Sequence, residues 1–90
     1  MNKFLLKETL NYPNQHKSKD NIDFIDILIY DTLDTDELLI AYYDWYGDID
    51  LEAILFFVED HFSQKLFVLN ANDGNGRVNI TFKFIKDLSQ

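Results

Sequence analysis

The chain has 90 residues, enough for one small domain, and carries 16 Asp and Glu against 8 Lys and Arg, a formal net charge of −8. With 47% apolar residues and 14 aromatic ones it can build a packed core, which excludes a disordered acidic tail. The lack of cysteine excludes a disulfide framework and a cysteine-ligated zinc site, and no apolar run approaches the ~18 residues of a membrane span.

In chain order, Phe4, Leu5 and Leu6 with Leu10 suggest a short helix of two turns. The patch is too short for a signal-peptide core, so a cytoplasmic protein is expected. A polar loop around Pro13 then runs from Asn11 to Asn21. From Asp23 to Tyr30, Ile25, Ile27 and Ile29 alternate with Phe24, Asp26, Leu28 and Tyr30, the period of a strand. Asp31 to Asp36 is turn chemistry, because Asp and Thr side chains bond nearby backbone amides.

Leu38 to Tyr46 admits two readings. As a helix it places Leu38, Leu39, Tyr42, Tyr43 and Tyr46 on one face and ends at Gly47. As a strand it pairs back on 23–30, and the short turn and matching length favour that hairpin. Asp50 to Phe62 is a helix: Leu51, Ile54, Leu55, Val58 and Phe62 recur at helical spacing, and Asp50 or Asp48 can cap its free amides. Lys65 to Asn70 reads as a strand and Ala71 to Gly76 as a loop. In Arg77 to Lys86, Val78, Ile80, Phe82 and Phe84 face in while Arg77, Asn79, Thr81 and Lys83 face out. The expected fold is α+β: a small two-layer sandwich, (α)ββαββ, with a four-stranded, mostly antiparallel sheet and one main helix on one face. The alternative makes the second strand a helix. The expected core is Leu51, Ile54, Leu55, Val58, Val78, Ile80, Phe82 and Phe84.

Catalytic constellations are not legible. His16 sits in the polar loop, and His61 in the last helical turn, where a cation suits the helix dipole. Ser18, Ser63 and Ser89 belong to no nucleophile motif, and ANDGNG lacks the ending of a phosphate loop. The carboxylate runs 31–37 and 44–52 do not match a calcium loop. No enzyme activity, cofactor or metal is expected. Gly47 to Phe62 is similar to the acidic-loop-plus-helix segment of acyl-carrier-like proteins, where an Asp-Ser-Leu motif holds the prosthetic-group serine. Here Asp48-Ile49-Asp50-Leu51 stands in that place without a serine, and the β-rich C-terminal part departs from an all-helical carrier. The likeness is one of amphipathic pattern.

The charge distribution carries the functional expectation. Residues 1–19 have net charge +3 and residues 61–90 net +2, whereas 20–60 hold thirteen carboxylates and no Lys or Arg. Self-repulsion there weakens folding, which suggests that the field serves steered association with a basic surface. Tyr43 and Trp45 in the aromatic run add hot-spot residue types, while acidic neighbours oppose direct binding of nucleic acid. The expected function is therefore a non-enzymatic inhibitor of a basic protein, such as a nuclease or nucleic-acid-binding effector. It would be of the phage anti-defence (DNA-mimic) or toxin-immunity type. Its binding residues are expected to be Asp31, Asp34, Asp36, Glu37, Tyr43, Asp44, Trp45, Asp48, Asp50 and Glu52. The alternative is a housekeeping adaptor or oligomerising domain that uses the aromatic patch. No membrane contact is expected, and a homodimer is left open.

Overall fold

The computed structural model describes residues 4–14, 23–33 and 35–85; His16 and Asp34 lie outside the described residues. The elements are β1 (Phe4–Pro13), β2 (Phe24–Thr32), β3 (Leu38–Tyr43), α1 (Leu51–Phe62), β4 (Leu66–Gly74) and β5 (Arg77–Phe84). All neighbouring strands pair antiparallel in the order β1-β2-β3-β5-β4, and α1 packs on one face. β3 and β4 therefore run parallel, with β5 inserted between them. The α+β class stands, with five strands where four were expected.

The additional strand is β1, which replaces the short helix expected around Phe4 to Leu10. Consecutive apolar residues, with Leu10 four positions after Leu6, imitate a helical face. A bulge explains the disguise, because the register shifts between Leu6 and Glu8. The extra residue breaks the period of two, so Leu6 lies on one face while Glu8, Leu10 and Tyr12 lie on the other. The polar loop expected from Asn11 is strand as far as Pro13, and the Asn14 amide donates to the Asp23 carbonyl at 2.8 Å.

The favoured strand reading of 38–46 holds for Leu38–Tyr43, and β2 pairs with it as expected. The turn before it starts later than expected, since Asp31 and Thr32 belong to β2. Thr32 Oγ1 donates to the Glu37 carbonyl at 2.7 Å, and Thr35 Oγ1 accepts the Glu37 amide at 3.1 Å. Leu10, Ile27, Ile29, Ile40, Tyr42, Val78, Ile80 and Phe82 make the sheet side of the core, and Ile54 and Val58 make the helix side.

The start of α1 is capped by Asp50, whose carboxylate accepts the Glu52 amide at 3.1 Å. Its end is closed by Ser63 in the left-handed region (φ 54°), with the Ser63 and Gln64 amides returned to the Asp60 and Glu59 carbonyls. Glu59 then ties the helix to β4 by accepting the Leu66 amide at 2.9 Å. Leu51, expected in the core, is 41% exposed because the first turn lies at the margin of the buried helical face. Leu55, Phe62 and Phe84 are partly buried against the core.

β4 continues to Gly74 through residues that the polar sequence ANDGNG marks as loop. No apolar alternation appears there because both faces of this strand remain exposed. The turn is reduced to Asn75-Gly76, with φ 56° and 76°, the two positive angles of a type I′ hairpin. No helix among the described residues is long and apolar enough to cross a membrane.

Ile80 is fully buried at the centre of this core. Ile80→Ala is expected to cost about 2–5 kcal/mol in chemical denaturation. A loss under about 0.5 kcal/mol, as at ordinary surface sites, would contradict the register given for β5.

Candidate functional site

Where β3 ends, the chain must leave the sheet and rise to the start of α1 within seven residues. Asp44 organises this passage. Its two carboxylate oxygens accept the amides of Asp48 at 3.1 Å and Ile49 at 3.3 Å, and its own amide donates to the Gly76 carbonyl at 2.6 Å. The loop is thus fastened at once to itself and to the β4–β5 turn.

Trp45 lies directly over Gly76. A Cβ at that position would stand 2.5 Å from Trp45 Cε3, and its φ of +76° independently favours glycine. Trp45 also stacks on Tyr43, with ring centroids 5.1 Å apart and planes inclined by 10°. The Arg77 guanidinium carbon lies 5.8 Å from the Tyr43 ring centroid, a cation–π contact. Although Tyr43 and Trp45 are held in place, they remain 50% and 64% exposed, and Tyr46 beside them is 46% exposed. Three large aromatic side chains are therefore offered to solvent together, two of them stacked.

The carboxylates expected to act together divide into two groups at opposite ends of β3. Its six residues separate them by about 20 Å. At the β2–β3 end, Lys7 Nζ lies 3.9 Å from Asp31 and Lys83 Nζ lies 3.3 Å from Asp36. Such exposed pairs add little stability, yet they locally cancel the negative charge. Glu37 sits in the same turn, and Asp34 lies outside the described residues. At the other end are Asp44, Asp48, Asp50 and Glu52, and no ion pair among the described residues reaches any of them. Tyr43 and Trp45 belong to this second group.

The four acids of the second group differ in what they do. Asp44 and Asp50 hold the loop and the helix start, as their bonds show. Asp48 and Glu52 direct no side-chain bond into the fold among the described residues, so they can meet a partner without loosening it. Behind them Tyr42 is buried beside a cleft of about 130 Å³ that Asp44, Leu51 and Asp73 also line. Burial pushes the Tyr42 phenol up, and the carboxylates of Asp44, Asp73 and Asp50 push it the same way.

Elsewhere, His61 pairs with Glu8 and so links α1 to β1 at the surface. Among the described residues no group of three His, Cys, Asp or Glu side chains is placed to hold a metal ion. Sequence reasoning missed Arg77 and Gly76 as members of the site, because more than thirty positions separate them from Trp45. Tyr46 belongs to the aromatic run and was recognisable from it.

Gly76→Ala is expected to destabilise the protein by about 1–2 kcal/mol and to shift the emission of Trp45, the only tryptophan. Unchanged emission and stability would contradict the contact. Tyr42 supplies a pH test. The unfolded phenol ionises near ~10, so above that pH the unfolded chain binds fewer protons than the folded one. Stability should therefore fall as pH rises past about 10. Tyr42→Phe should flatten that fall in denaturation curves; an equally steep fall would place Tyr42 in a less buried setting.

Comparison with protein-family models, with curated proteins and with solved structures finds no match to this chain, so the functional reading rests on its own geometry.

Proposed function

We propose that the chain is a non-enzymatic antagonist of a basic protein, which it grips with the aromatic and acidic patch at the β3–α1 end. The observation that carries this reading is the exposed group Tyr43, Trp45 and Tyr46, its first two rings stacked, beside carboxylates that no ion pair among the described residues reaches. Aromatic residues of this kind dominate binding energies when a partner desolvates them. Uncompensated rim carboxylates raise the rate of encounter with a positive surface. The same charges repel phosphate, so a nucleic acid is not the ligand.

The partner class is a nuclease or another nucleic-acid-binding effector whose cationic cleft the patch covers. A phage anti-defence protein or a toxin-immunity protein would use such a patch in the cytoplasm. The acids paired with Lys7 and Lys83 at the far end of β3 contribute to the general field and lie outside the contact itself.

The test uses the immobilised full chain and a protein captured on it. Binding is expected to weaken steeply from about 0.05 to 0.5 M salt, and duplex DNA should compete with it. Trp45→Ala should weaken binding by about 2 kcal/mol, roughly thirtyfold, with the salt dependence kept. Asp48→Asn combined with Glu52→Gln should slow association and flatten the salt dependence. A captured partner indifferent to both salt and DNA would support the adaptor reading instead.

A further inference from the structure

The two outer strands of the sheet present different edges. Both carry a register shift, but β1 adds features that discourage strand addition: the charge of Lys7, and Pro13, which has no amide to donate. β4 has neither proline nor lysine from Leu66 to Gly74, and Asp73 is its only charged residue in a chain of net charge −8. From Phe67 to Gly74 every residue of β4 is exposed, with Phe67 at 57%. The most charge-poor strand edge of a strongly acidic protein is thus also its least covered one.

The facing of β4 has a symmetry that the bulge creates. Leu66 and Val68 stand opposite Phe84 and Phe82 and so share the helix side of the sheet. After the shift between Val68 and Asn70, Ala71 and Asp73 stand opposite Ile80 and Val78 and return to that side. Phe67, Asn70 and Asn72 occupy the other side. A second copy laid antiparallel along this edge can therefore set Leu66 against Asp73, Phe67 against Asn72 and Val68 against Ala71. Each pair then shares one face, and the two bulges meet at the two-fold axis. A slip of one residue either way would oppose Val68 to Asn70 or Asn72, on the wrong face.

We propose that β4 pairs with β4 of a second copy in this register, which joins two five-stranded sheets into one of ten strands. Such a contact is isologous and closes as a dimer. Electrostatics permit it, since each Asp73 faces Leu66 of the other copy. The two Asp73 side chains then stand about 23 Å apart along the seam. That is well beyond the screening length of about 8 Å at physiological salt. The seam adjoins the patch, since Ala71 and Asp73 line the same cleft as Asp44 and Leu51, but it uses none of residues 43–52, so self-association and partner binding can each fail without the other.

Sedimentation of the full chain at about 1–200 μM tests it. The expected mass is twice 10.7 kDa, with dissociation on dilution. Val68→Lys should give a monomer with unchanged circular dichroism, because Val68 already reaches solvent. Adding Ala71→Glu to Val68→Lys sets opposite charges across the seam and should restore the dimer. A monomer at all concentrations overturns the proposal. A dimer that survives Val68→Lys also overturns it, as does a loss that Ala71→Glu fails to repair.

Discussion

A row of three isoleucines decides how the rest of the sheet is read. Ile29, Ile40 and Ile80 stand side by side across β2, β3 and β5, and each is fully buried beneath the helix that carries Ile54 and Val58. Burial of each such side chain stabilises the fold by about 1.5–3 kcal/mol. Because side chains alternate along a strand, this row also assigns a face to every other residue of the three strands. A slip of one residue in β3 would send Tyr42 to the open face and Tyr43 under the helix. The stack of Tyr43 on Trp45 would be lost with it. The surface patch depends on the core register in that direct sense.

The second constraint is width. Five strands at a spacing of about 4.8 Å place the outer strand axes about 19 Å apart, while a helix with its side chains is about 10–12 Å across. One helix can shield only part of such a sheet. On the helix side the uncovered remainder falls at its two margins, on Leu5 of β1 and on Val68, Ala71 and Asp73 of β4. β1 meets this exposure with a lysine, a bulge and a proline. β4 has a bulge but neither lysine nor proline, the difference on which its proposed pairing with a second copy rests.

The acidic middle of the chain is not one surface with one purpose. Asp44 and Asp50 are drawn into loop and cap bonds, and Asp31 and Asp36 are countered by lysines from β1 and β5. Asp48 and Glu52, beside the exposed aromatic residues, are among the carboxylates that neither an ion pair nor a bond into the fold engages among the described residues. Tyr42, forced to stay protonated by its burial and its acidic neighbours, marks the inner boundary of that patch.

Strong periodicity was legible in the amino-acid sequence wherever burial is one-sided. The 23–30 strand, the Asp50–Phe62 helix with its cap and the last strand with Ile80 inward all follow from alternation or helical spacing that the core requires. The aromatic run and the carboxylate excess were legible as well, because they are composition. What escaped the sequence reading were β1 and the second half of β4, where bulges interrupt the period of two and exposure removes the need for apolar alternation. Tertiary structure alone decided how the charges are shared out. Lys7 and Lys83 reach Asp31 and Asp36, and Gly76 and Arg77 meet Trp45 and Tyr43, across strand pairings between residues far apart in the chain. Local pattern encodes which face a residue takes, but which neighbour it meets there depends on strand order, and strand order is settled only when the sheet assembles.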